Sequence, residues 1–300
     1  MSIQQMMHTV MEDTAYLPAP DLTLSVSELT DADKNEVIGF LSERPIHTVI
    51  MAGLIRDNGL VSELNRGTFY GCRNSEGRLE GVALIGHATL IETRSRGAVK
   101  ELALVAQIHS RLHMFMAEQD KAELFWNNYA DDGQPMRRAC RELLFELKSA
   151  LEQRTPVDGM RLATLDDLNL IAPVHARMAE EESGVNPLEA DREGFLKRCS
   201  RRISQNRVWV VVKDDELVFK ADVQAESDDL VYLEGIYVSP AQRGTGLGRR
   251  CLTSLCVDLL SQSRSICLLV NEENETAQAF YRMCGFRWVG NYDTIFLKRD

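Results

Sequence analysis

The 300-residue chain has no run of about 18 apolar residues, so no membrane-spanning helix is expected. Residues 1–12 lack both a basic flank and an apolar core, so no secretory signal is expected there. Seven cysteines form an odd set with no pair at Cys-x-x-Cys spacing, which argues against a disulfide framework and against a zinc knot. Positive charge is in deficit: 34 Lys and Arg stand against 45 Asp and Glu, a net charge of -11. Nucleic-acid phosphates would be repelled by such a surface, so non-specific binding to them is excluded as a working class. The six histidines all precede residue 176. His109 and His113 stand one helical turn apart, but the Glu that a zinc protease needs after the first His is missing. Their apolar neighbours Ile108, Leu112, Phe115 and Met116 read as an ordinary helix, and no metal is expected. These absences together read as a cytoplasmic protein with neither membrane nor nucleic acid as partner.

What remains is a globular composition, 44% apolar and 26% charged, and a length about twice the common domain size. Comparing the halves is informative. Thr30-Asp31-Ala32-Asp33 is echoed by Thr164-Leu165-Asp166-Asp167: a threonine able to cap a helix, with an aspartate three residues on in the positive first turn. Each half then offers a hairpin. Residues 68–72 and 79–85 flank Asn74-Ser75-Glu76-Gly77, and residues 207–212 and 217–223 flank Lys213-Asp214-Asp215-Glu216. The shared order of elements suggests a tandem α+β duplication. Residues 153–159 read as the linker, and residues 1–20, ending at Leu17-Pro18-Ala19-Pro20, as a flexible lead-in. The expected domains are therefore 21–154 and 158–300.

The densest signal follows a β-rich run, residues 230–238, that Ser239-Pro240 should terminate. Next comes Gln242-Arg243-Gly244-Thr245-Gly246-Leu247-Gly248-Arg249-Arg250, and then Leu247, Cys251, Leu255 and Leu259 at helical spacing. Glycines at alternate positions let bare amides approach a ligand, and the helix start adds free N–H groups and partial positive charge. A pyrophosphate suits such a loop. It is not a nucleoside triphosphate loop, because Arg249 follows Gly248 where Lys is required. Nor is it a dinucleotide fingerprint, because Arg249 stands where glycine is needed.

Here the chain resembles the GNAT superfamily of acetyl-CoA-dependent N-acetyltransferases. That family's loop, Arg/Gln-x-x-Gly-x-Gly/Ala, is matched by Arg243-Gly244-Thr245-Gly246-Leu247-Gly248. A second family segment, Asn-x-x-Ala, a short helix with Phe-Tyr, then Gly-Phe, is matched by Asn274, Ala277, Phe280-Tyr281 and Gly285-Phe286. The match covers about residues 160–300. The resemblance implies tandem GNAT-like domains, each a twisted mixed sheet flanked by helices, with acetyl-CoA as acyl donor. Ile236, Tyr237 and Val238 would offer strand backbone to the pantetheine arm. Arg243, Gly244, Thr245, Gly246, Leu247, Gly248 and Arg249 would cradle the pyrophosphate. Asn274 would touch the cofactor, and Tyr281 would lie near the sulfur as proton donor to the leaving thiolate. Glu234, the one acidic side chain in the apolar strand, is the candidate base for the amine. Leu233-Glu234-Gly235-Ile236-Tyr237-Val238 is also similar to the matching strand of aminoglycoside 6'-N-acetyltransferases, a hint toward an amine acceptor.

In the first half an equivalent glycine loop is expected near residues 103–114, yet no glycine falls between Gly97 and Gly133, and residues 99–112 read as continuous helix. That half is expected not to bind coenzyme A. Glu180, Glu181, Glu182, Glu189, Asp191 and Glu193 cluster where acceptors enter in this family, a setting for a cationic amine or a solvated helix face. Pro173 should kink or bound the preceding helix. The expected function is transfer of an acetyl group to a primary amine of a small molecule or peptide. The alternative is a non-catalytic acyl-CoA sensor or assembly module.

Overall fold

A computed structural model describes residues 23–109, 112–149, 157–227 and 229–298. The described residues divide into two compact units, those up to Glu142 together with those from Gly290 onward, and those between Leu143 and Val289. The lead-in at 1–20 and most of the expected linker lie outside the described residues. The final strand, which the sequence places with the second half, lies from Gly290 onward in the first unit. There its Tyr292–Phe296 stretch pairs antiparallel with residues 114–118.

In the first unit, β1 (Ser25–Glu28), β2 (Gly67–Arg73), β3 (Leu79–Gly86) and β4 (Ala88–Thr93) pair antiparallel in sequence, and β5 (Met114–Glu118) joins β4 in parallel. Strand period separates the two faces. Val82 and Leu84 face α1 (Lys34–Ser42) and α2 (Pro45–Asn58). Ala83 and Ile85 face α3 (Arg96–Gln107) and α4 (Gln119–Tyr129). The helix read over residues 99–112 ends at Gln107, so His109 and His113 do not share it. His109 Nε2 meets the Tyr70 hydroxyl at 3.1 Å, and His113 stacks on His87. The unit is completed by the first part of β6 (Met136–Leu147), whose residues from Leu143 onward belong to the second unit.

In the second unit the order is β7 (Met160–Leu162), β8 (Val208–Lys213), β9 (Glu216–Glu226), β10 (Leu230–Val238) and β11 (Ser265–Asn271). The first four pair antiparallel, and β10 pairs with β11 in parallel. One face packs on α5 (Leu168–Ser183) and α7 (Arg192–Ser204), with the short α6 (Pro187–Ala190) between them. The other face packs on α8 (Leu247–Leu260) and α9 (Glu275–Met283), where Cys251, Leu252 and Leu255 are fully buried. Strand β12 (Arg287–Leu297) follows α9. Both units are thus mixed sheets flanked by helices, the α+β architecture expected.

The echoed threonines do the same work. Asp33 Oδ2 accepts from Thr30 N, and Asp167 Oδ2 from Thr164 N, each at 2.8 Å, forming a capping box before α1 and before α5. Pro173 lies inside α5, which runs through it, so it marks no boundary. In the acidic cluster, Asp191 caps α7 through Gly194 N and pairs with Arg198, while Glu180 accepts from Asn186. These carboxylates hold helix ends.

A buried ion network sits in the first unit. Glu92 accepts from Arg44, Arg94 and Lys121 at 2.7–3.2 Å, and Glu118 from Arg44 and Lys121 at 2.7–2.9 Å. Burial pushes the Glu118 carboxyl up, but the Arg44 and Lys121 hydrogen bonds outweigh it and bring it down to about 2. A depressed carboxylate stabilises the fold above its unfolded value and loses that contribution as pH falls through the folded one. The expected result is a fall in stability on the order of 2 kcal/mol between pH 4.5 and 2. Urea midpoints measured across that range check it, and Glu118→Gln should flatten the dependence.

Candidate active site

β10 places the site. It runs beside β11 only from Leu230 to Tyr232, the pairs being Leu230–Ser265, Val231–Ile266 and Tyr232–Cys267. Its partner on the other edge, β9, stays with it to Val238. The two parallel strands therefore part company after Tyr232. Between Glu234 and Tyr237 three steps on β10 match two on β9, from Asp222 to Lys220, so β10 carries one extra residue as a bulge. Gly235 occupies it with φ of +61°, a conformation that disfavours side chains.

The strand ends at Val238, and residues 239–246 form the loop that enters α8. Gly244 and Gly246 have φ of +77° and +80°. Gly248 is required for a different reason: a Cβ there would stand 2.6 Å from Val238 Cγ2. The loop braces itself, with Thr245 Oγ1 donating to Gln242 O at 2.8 Å and accepting from Leu247 N. Arg243 Nε donates to Val238 O at 3.2 Å. Among the described residues, the amides of Gly244, Gly246, Gly248 and Arg249 have no protein acceptor. Arg249 and Arg250 are exposed on the first turn of α8. Four unsatisfied N–H groups, the positive end of a 14-residue helix and nearby guanidinium groups fit a diphosphate.

Asn274 is the N-cap of α9, its Oδ1 accepting from Ala277 N at 3.0 Å. Tyr281, two turns along, is buried against Phe145, Phe280 and Phe286. Burial, with the Cys284 thiol adding to it, pushes the phenol well above its ordinary value, so it stays protonated at neutral pH. Its hydroxyl has no protein partner among the described residues. Tyr281 packs on the α8 face of the sheet, with Ile236 and Val238.

Glu234 points to the opposite face. It is half-buried, stands across from Asp222 on β9, and has no hydrogen bond or ion pair among the described residues. Beside it lies a cluster that the sequence reading missed. Lys220 is fully buried; its Nζ contacts Asp222 Oδ2 at 2.8 Å and donates to Gly235 O at 3.0 Å. Asp222, also buried, draws Arg202 of α7 at 3.3 Å and His175 of α5 at 3.4 Å. Burial pushes the Asp222 carboxyl up, but Lys220 and His175 win and hold it far below its usual range. The signal was present: two opposite charges at alternate positions inside the apolar run 217–223.

The first unit lacks the counterpart loop. Its β4–α3 junction is only residues 94 and 95, earlier than the expected 103–114. Ser95 Oγ already accepts from Ala98 N, so this helix start is capped by its own chain. Counting from the first parallel pairs, Ala88–Met114 and Leu230–Ser265, puts Glu92 at the place Glu234 holds in the second unit.

Residues 204–288 match the Acetyltransferase (GNAT) domain family. No curated protein matches the sequence. Solved structures similar to nearly the whole chain include a tandem GNAT protein from the clavulanic acid biosynthesis pathway, 12% identical, TM-score 0.58, covering 93% of this chain and 100% of that one. A GCN5-related N-acetyltransferase from Sphaerobacter thermophilus is 14% identical with TM-score 0.59, covering 92% and 97%. A Drosophila protein is 13% identical with TM-score 0.67, covering 91% and 98%. At these identities the likeness is one of fold. The family match thus lies within the second unit, and the fold of the chain is like that of tandem GNAT proteins.

Proposed function

We propose that the second unit transfers an acetyl group from acetyl-CoA to a primary amine. The observation that carries this reading is the set of free amides at Gly244, Gly246, Gly248 and Arg249, one strand-length from a parted pair of parallel strands. Acetyl-CoA supplies an acyl carbon already activated as a thioester. The loop amides, with Arg243 and Arg249, hold the pyrophosphate. The backbone of Ile236, Tyr237 and Val238, beyond the last β11 pair, guides the pantetheine arm.

Chemistry divides between the two faces of β10. Glu234 accepts a proton from the acceptor ammonium, directly or through water, and the amine nitrogen then bonds to the acyl carbon as the carbon–sulfur bond breaks. Tyr281 gives its proton to the departing sulfur, the nitrogen releases its second proton to water to leave the neutral amide, and Tyr281 regains a proton from solvent. Its burial keeps it an acid until that moment. The acceptor is a small-molecule or peptide amine meeting the free carboxylate of Glu234. The first unit, whose helix start is capped and whose Glu92 is bound by three cations, does not take coenzyme A.

Incubation of the protein with acetyl-CoA and a panel of primary amines, followed by free-thiol detection, tests the reading. Amine-dependent thiol release is expected, falling about 100-fold in Glu234→Gln with acetyl-CoA affinity unchanged. Tight acetyl-CoA binding without transfer to any amine would favour the sensor alternative.

A further inference from the structure

We infer that Lys220 is a positioning residue for acyl transfer, acting by clamping the Gly235 carbonyl and so aiming the next amide, Ile236 N–H, at the thioester oxygen. This rests on the acyl-transfer reading above. Lys220 is fully buried, an expensive place for an ammonium. Its alternation with Phe219 and Ala221, which pack on the α8 face, directs its side chain to the α5 face. There its Nζ makes two contacts, one to Asp222 at 2.8 Å and one to Gly235 O at 3.0 Å. The bulge and the lysine are matched: a Cβ on residue 235 would stand 2.6 Å from Nζ.

The consequence follows from peptide geometry. The described bonds include no cis peptide, and in a planar trans peptide the C=O and the following N–H point in opposite directions. Pulling Gly235 O toward the α5 face turns Ile236 N–H toward the α8 face. That is the face holding Tyr281, and the bulge lies where β11 no longer accompanies β10. A donor fixed there meets negative charge growing on the acyl oxygen as the amine attacks. Asp222, steadied by Arg202 and His175, balances the lysine charge and fixes its reach.

The test compares the full chain with Lys220→Met, which keeps the stem and removes the ammonium, and with Lys220→Met/Asp222→Asn, which also removes the buried carboxylate that the single variant leaves without its lysine. Three readings are taken: kcat and KM for thiol release, acetyl-CoA affinity by calorimetry, and the infrared carbonyl band of bound 13C-acetyl-CoA. In the native chain the band should sit below its solution frequency. In the folded variants kcat should fall roughly 10- to 100-fold, less than the about 100- to 1,000-fold that outright loss of an oxyanion donor costs, because the amide is misaimed rather than removed. The affinity should hold within about threefold, and the band should return toward solution frequency. A double variant that folds and keeps native kcat and native band position overturns the proposal. Native chain that binds no acetyl-CoA overturns the acyl-transfer reading along with it, and is told apart by the calorimetry alone.

Discussion

Gly246→Trp should abolish useful acetyl-CoA binding while leaving the protein folded. Gly246 has φ of +80° and is the N-cap of α8, so a side chain there forces the loop from its left-handed turn. A Cβ would also approach Arg250 Nη1 at 3.3 Å. Losing two charge-assisted amide bonds at roughly 1.5 kcal/mol each weakens affinity by at least about 100-fold. The loop is exposed, so melting temperature should shift little. Calorimetric titration reads the affinity, and a thermal melt reads the fold. Near-native binding in this variant would place the nucleotide elsewhere in the chain and remove the loop from the mechanism.

Tyr281→Phe should lower kcat by roughly 100-fold with little change in acetyl-CoA affinity. The substitution deletes one hydroxyl that has no protein partner among the described residues, so packing with Phe145, Phe280 and Phe286 survives. Because burial raises the phenol, its ionisation should not limit kcat anywhere in the neutral range. Steady-state kinetics from pH 6 to 9 checks both points. A variant with native turnover throughout would exclude Tyr281 as the proton donor.

The loop and its flanks were legible because their physics is local. Glycines at 244 and 246 answer to backbone torsion, Gly248 to contact with Val238, and the α8 stripe to burial, and each leaves a mark at a fixed spacing. The capping boxes at Thr30 and Thr164 were readable for the same reason. Lys220, Asp222 and His175 were not grouped, because His175 lies 45 residues from Lys220 and only the packing of α5 onto β9 joins them. The placement of residues 290–297 was likewise hidden: an apolar run such as the end of β12 does not say which neighbour it will pair with. The early end of α3 at Gln107 escaped because the apolar residues at 108 and 112 continue its pattern.

Glu92 limits what could be built into the first unit by substitution. Grafting a glycine turn at residues 94–95 would supply a phosphate cradle but leave the matching carboxylate locked beneath Arg44, Arg94 and Lys121. Those cations make it an architectural rivet. Freeing that carboxylate would mean dismantling a buried charge network, so stability in that half is tied to the same side chain.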